Sequence, residues 1–308
     1  MDTPAPARRL TRYLGRIALI AVLLLAAFIG WRLARRDLPT AAEPLPAARP
    51  VTSSSPVAAP GDCAPPAFTA AAANNAAGID TLAWSPFRNR PETGWRTYAP
   101  RIAAEIASDC PYDSAGFAEA LSRYQAAHRL PADGRLTPET FERMRIAWDL
   151  QRPFQRAARL GCPPAPDPAT LQAAAPAELY GGKPALADPG ALAAYRRMAA
   201  DARAAGVASD PTLLTIFSAF RDQAADAERC ARQGGCGGPA RAVCSAHRTG
   251  TALDLNLGHA PGARPDSTED ANRLWMSQTP LYRWLVRNAA RYGFVNYAFE
   301  PWHWEWAG

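Results

Sequence analysis

Leucines alternate with small or polar residues through Ala252-Leu253-Asp254-Leu255-Asn256-Leu257. This period of two predicts a half-buried strand with Leu253, Leu255 and Leu257 toward the core and Asp254 toward the opposite, cleft-facing side. The period returns at the C-terminus, where Trp302, Trp304 and Trp306 alternate with His303 and Glu305. A second strand is expected there, one face an aromatic wall and the other carrying His303. Pro301 removes a backbone donor and argues against a helix, so Glu300 and His303 are not the halves of a helical H-E-x-x-H site. Gly250 lets the chain bend between His247 and the strand of Asp254, and Leu213 to Phe217 reads as a further strand leading to Arg221.

Helical spacing takes over elsewhere. Phe117, Leu121 and Tyr124 lie on one helix face, Leu130-Pro131-Ala132-Asp133-Gly134 is a turn, and Thr137-Pro138 opens a second helix with a capping residue followed by proline. Asp188-Pro189 starts another helix that ends at Gly206, with Leu192, Tyr195 and Ala199 on its apolar face. Thr279-Pro280 opens one that runs to Gly293. Helices first, then strands with hairpin-like pairing, give an α+β C-terminal region with a small antiparallel sheet and flanking helices, preceded by a small all-α module.

The N-terminus has a different pattern. Ile17 to Trp31 is an unbroken apolar run flanked by Arg8, Arg9, Arg12 and Arg16 on one side and Arg32, Arg35 and Arg36 on the other. As a helix it spans about 22 Å against roughly 30 Å of hydrocarbon, so snorkelling arginines complete a crossing. The three arginines after the run favour an uncleaved N-terminal transmembrane helix over the alternative, a cleaved secretory signal. The expected placement is single-pass in the inner membrane, with the C-terminal part on the periplasmic, extracytoplasmic side. The implied organisation is a tail and anchor over 1–36, a Pro/Ala-rich linker over 37–75, a helical module over 76–160, a second linker over 161–176 and a C-terminal domain over 177–308.

Charge adds one exclusion. The chain carries 34 basic and 28 acidic residues, net +6, and a pI near 9.2. Residues 1–36 hold seven arginines and one aspartate, which is the whole excess. No basic surplus remains beyond them, so nucleic acid is not an expected partner. Six cysteines, an even number, suit disulfides in an exported protein. Three precede the catalytic region and three fall inside it, so full pairing needs at least one bridge between the halves. Cys230, Cys236, Cys244 and His247 also have spacings that fit a rival structural zinc site.

The chemistry concentrates in Ser245-Ala246-His247-Arg248-Thr249-Gly250-Thr251-Ala252-Leu253-Asp254 and Glu300-Pro301-Trp302-His303. Two histidines and a carboxylate offer three ligands to one zinc ion, and a further carboxylate stands ready to move a proton. S-x-H-x-x-G-x-A-x-D followed by E-P-W-H, preceded by Ser218-Ala219-Phe220-Arg221, resembles the VanY-type D-alanyl-D-alanine carboxypeptidases, zinc peptidases of bacterial cell-wall peptides, over roughly 175–308. The resemblance implies that His247, Asp254 and His303 bind zinc, Glu300 is the catalytic base and Arg221 stabilises the oxyanion. Ser245 is then a candidate for the substrate's terminal carboxylate. Relatives usually carry glutamine five residues after the arginine; here that position is Asp226, and Gln223, the candidate substrate contact, stands earlier.

The helix-turn-helix of the preceding module resembles a three-helix peptidoglycan-binding module, with Thr137 where relatives usually have glycine. Together these imply a zinc metallopeptidase that removes the terminal D-alanine from peptidoglycan stem pentapeptides. The alternatives are a peptidoglycan endopeptidase or D-alanyl-D-alanine dipeptidase of the same fold, and a non-catalytic wall-binding protein.

Overall fold

The structure, a computed structural model, describes residues 63–87, 90–232, 235–236, 239 and 242–308. Its helices are α1 (Thr69–Gly78), α2 (Ala99–Glu105), α3 (Ala115–Ala127), α4 (Pro138–Gln151) and α5 (Pro153–Ala157), then α6 (Pro189–Ala204), α7 (Gln223–Arg232), α8 (Asp270–Ser277) and α9 (Pro280–Asn288). The capping residues act as their types dictate. Thr137 Oγ1 accepts the Thr140 N–H at 3.2 Å, Asp188 Oδ1 accepts those of Gly190 and Ala191 at 2.8 and 3.0 Å, and Thr279 Oγ1 accepts that of Tyr282 at 3.2 Å. The α-helix opened by Thr279 stops at Asn288, and a 3₁₀ turn, Ala289–Tyr292, carries the chain to Gly293 in the left-handed region.

The strands are β1 (Ala83–Phe87), β2 (Arg90–Thr93), β3 (Gln172–Ala173), β4 (Leu186–Ala187), β5 (Ile216–Ser218), β6 (Ala252–Leu255), β7 (Phe294–Asn296) and β8 (His303–Trp306). The last four form one sheet in the order β5-β6-β8-β7, antiparallel throughout. As the alternation requires, Leu253, Leu255 and Trp304 enter a core shared with Leu192, Tyr195 and Leu285. Asp254 and His303, opposite each other in register, turn the other way.

The module before this sheet is not all-α. β1 and β2 pair as a hairpin whose register shifts between Trp84 and Phe87, where Pro86 cannot donate to a ladder. The hairpin buries Trp84 and Phe87 against Tyr98 and Phe141. The Ala-rich run TAAAANNAAG is α1, so helix occupies the end of the stretch expected to be linker. This core also takes in Ala298 and Phe299, from the turn between β7 and β8, with the Phe87 and Phe299 rings 5.4 Å apart. Arg273 of α8 reinforces the junction, bonding Glu92 of β2 at 3.0 Å and the Phe299 carbonyl at 2.8 Å.

The disulfides are Cys63–Cys110, Cys162–Cys244 and Cys230–Cys236. The second joins the two halves, and the pairing rules out the rival three-thiolate zinc site. The transmembrane helix expected over 17–31 lies outside the described residues. Among those described, no helix is long and apolar enough to cross a membrane. The longest, α6, has 16 residues, about 24 Å at the helical rise, and an exposed polar face. The expected membrane anchor and single-pass inner-membrane placement accordingly find no support among the described residues.

Candidate metal centre

Three side chains from separate segments meet on the open face of the sheet. The register sets Asp254 of β6 against His303 of β8, and Asp254 Oδ1 lies 2.8 Å from His303 Nδ1. His247 comes from a 3₁₀ turn, Ala246–Thr249, just before β6, and its Nε2 lies 3.2 Å from Asp254 Oδ2. The turn closes at Gly250, φ 75°, where a Cβ would sit 2.9 Å from Leu171 Cδ2, so the expected bend demands glycine. The three ligand atoms lie within 4.8 Å of one another, and all three residues are buried.

The remaining ring nitrogens are occupied, which fixes what faces the site. His247 Nδ1 is 2.7 Å from the Ala219 carbonyl, an acceptor only, so Nδ1 carries the proton and Nε2 presents its lone pair. His303 Nε2 is 3.3 Å from Glu305 Oε1, which leaves Nδ1 for the centre. Two imidazole nitrogens and one carboxylate, each imidazole backed by an acceptor, match the donor set and outer hydrogen bonding of a three-ligand zinc site. The residues present therefore fit the metal that the sequence suggested.

Around them is a cavity of about 380 Å³ lined by the triad, Glu300, Arg221, Ser245 and Arg229, among others. Glu300 sits in the turn between β7 and β8. Its N–H donates to the Tyr297 carbonyl at 2.9 Å, and the Glu300 carbonyl accepts the His303 N–H at 3.0 Å. Asn296, buried, donates Nδ2 to the His303 carbonyl at 2.9 Å and to that of Glu300 at 3.3 Å. That clamp was missed at the level of sequence, where an asparagine in a strand carries no signal.

Arg221 is held from several sides. Its Nη1 bonds Ser218 Oγ at 2.5 Å and lies 3.9 Å from Asp254 Oδ2, while Nε bonds Asp226 at 3.1 Å. Asp226 thus fills the position where relatives place glutamine, as a buried carboxyl group that orients the arginine. The same carboxylate accepts the Ser245 hydroxyl, 2.9 and 2.8 Å from its two oxygens, so that proton is committed within the protein. Gln223 is exposed at the start of α7 and does not line the cavity. Arg229, one helical turn beyond Asp226, does line it and has no ion pair among the described residues.

The electrostatics separate these groups. Burial pushes the Glu300 carboxyl up to about 7, with Asp254 adding to the rise and His303 opposing it. Burial and the Arg221 charge lower His247 to about 4 against the pull of Asp254. Burial also disfavours a charged His303, yet the hydrogen bonds its ring donates to Asp254 and Glu305 outweigh it and lift the ring to about 9. Asp254 is desolvated too, but the two histidines hold it well below the usual carboxylate range. A cation at this centre competes with the His303 proton for Nδ1.

Comparison with known proteins agrees with the geometry. Residues 185–308 match the VanY family, D-alanyl-D-alanine carboxypeptidase, and residues 111–144 match a peptidoglycan binding domain family. No curated protein and no solved structure matches the chain.

Proposed function

Taking residues 185–308 as a D-alanyl-D-alanine carboxypeptidase domain, we propose that the protein is a zinc-dependent peptidase that removes the terminal D-alanine from peptidoglycan stem pentapeptides. The observation that carries this reading is the buried His247, Asp254 and His303 cluster sharing one cavity with a carboxyl whose pKa is raised to about 7.

A zinc ion held by the three side chains supplies Lewis acidity, lowering the pKa of water and polarising a carbonyl. The protein's own groups do the rest. Glu300, titrating near neutrality, accepts the proton of the attacking water and returns it to the departing amine. Arg221, fixed by Ser218 and Asp226, offers a preorganised positive charge to the developing oxyanion. The substrate's carboxylate is drawn by Arg229 on the same cavity wall, with Ser245 beside it, its hydroxyl oxygen anchored to Asp226. The peptidoglycan binding domain over 111–144 keeps the enzyme on a polymer that does not diffuse, raising the effective concentration of stem peptides.

The test uses one pentapeptide in two forms. With a free C-terminal carboxylate it should lose a single alanine; with that terminus amidated it should resist. Equal cleavage of both forms, or release of a dipeptide, replaces the carboxypeptidase reading with an endopeptidase or a dipeptide-releasing one.

A further inference from the structure

Glu305 is the least explained residue near the centre. The alternation of β8 sets it on the face of His303, two residues on, and its side chain is only 1% exposed. A carboxylate that deep needs a counter-charge and hydrogen bonds. Within the sheet only the His303 ring, at 3.3 Å, reaches it. The remaining partners come from the preceding module: Arg152, capping the C-terminus of α4, bonds Glu305 Oε1 through Nε at 2.7 Å and Nη2 at 2.6 Å. The Phe154 N–H, at the start of α5, donates to Oε2 at 3.0 Å.

Arg152 is itself buried. It bonds Asp149 at 3.2 Å and stacks 4.0 Å from the ring of Tyr297, where the turn bearing Glu300 begins. With Oε1 held by the guanidinium, Glu305 presents an acceptor 3.3 Å from His303 Nε2. An acceptor there keeps a proton on Nε2, so Nδ1, which donates to Asp254 at 2.8 Å in the metal-free protein, is the nitrogen left for a cation to take. The line of contact therefore runs from the C-terminus of a helix in the wall-binding half, through one buried ion pair, to a metal-binding imidazole.

We propose that Arg152 is a positioning residue of the metal centre, acting through Glu305 on His303, so that the module before the catalytic sheet completes the metal site. The inference rests on the reading of His247, Asp254 and His303 as the metal triad. The competing view makes the ion pair a staple between two regions, with no bearing on the metal.

A double replacement separates the two. Substituting a buried ion pair by apolar groups of similar size is often neutral for stability, whereas removing one partner is not. In the full chain, Arg152→Met with Glu305→Leu is expected to keep the thermal unfolding of the metal-free protein near that of wild type. Its zinc affinity, measured by competition with a chromophoric chelator, should fall about 10–100-fold, the usual cost of losing an outer-shell partner. Unchanged affinity in a folded double variant overturns the proposal. If that variant does not fold, the single Arg152 variants carry the test: zinc affinity should fall in Arg152→Met and lie closer to wild type in Arg152→Lys, and a wild-type affinity in a folded Arg152→Met overturns the proposal. A wild-type chain that binds no zinc overturns the metal reading itself, which is distinct from variants that bind as well as wild type.

Discussion

The two histidines of the centre are equally deep and differently supported. His247 leans on the Ala219 carbonyl at 2.7 Å, a backbone group in the segment after β5 of its own sheet. His303 leans on a side chain, Glu305, whose counter-charge arrives from Arg152, 153 positions away in sequence. One half of the site is thus built by the catalytic sheet alone, and the other half is finished by contact with the preceding module. The contrast appears in the titration of the rings, lowered to about 4 in one and lifted to about 9 in the other. A side-chain prop is open to substitution and to motion of the element that carries it; a backbone carbonyl is not.

The largest effect tests the triad on both sides of that contrast. His247→Ala and His303→Ala should each abolish zinc retention in elemental analysis and reduce hydrolysis to background, since two protein ligands are fewer than any stable site of this type uses. Full occupancy in either variant removes that residue from the triad.

Next is Glu300→Gln, which should retain zinc and lower kcat by about 10²–10⁴-fold, the range for loss of a general base. Near-normal turnover would place the base elsewhere. Arg221→Ala should retain the metal and lower kcat by about 10²–10³-fold with little change in KM, as expected for a group that acts on the oxyanion. A rise in KM alone would mean that the arginine binds the ground state instead.

The smallest effect is on stability. The Glu300 carboxyl is raised from 4.5 to about 7 in the folded, metal-free protein, so folding favours its protonated form. The stability this gives is fully present below pH 4.5 and is lost as the pH rises through 7. Glu300→Gln, which mimics the protonated form, should therefore gain about 3 kcal/mol relative to wild type between pH 4.5 and pH 8 in denaturant titrations of the metal-free chain. A difference that does not change with pH would show that the carboxyl is not destabilised by its burial.

Local pattern carried much of this. The alternation around Asp254 and His303 told which side chains share the open face, and Thr137, Asp188 and Thr279 marked three helix starts through capping chemistry that is local by nature. The ordered motifs singled out His247, Asp254, His303, Glu300 and Arg221, which line one cavity. What stayed illegible is long-range. Period two put Glu305 beside His303, but nothing in the chain reveals a counter-charge so distant in sequence. The β1–β2 hairpin was hidden because Pro86 reads as a strand breaker. Gln223 looked like the nearest substitute for the missing glutamine, whereas Asp226 takes that place and turns it into an anchor for Arg221 and Ser245.

A metal centre that works with Glu300 on the end of a stem peptide makes a defined pentapeptide muropeptide, followed by mass analysis, the decisive substrate. The samples are incubated with the purified chain, with the chain stripped by chelator, and with the stripped chain after one equivalent of zinc. The expected result is loss of one alanine in the first and third and no change in the second. Equal cleavage by the stripped chain, or an intact pentapeptide in all three, would rule out a metal-dependent carboxypeptidase.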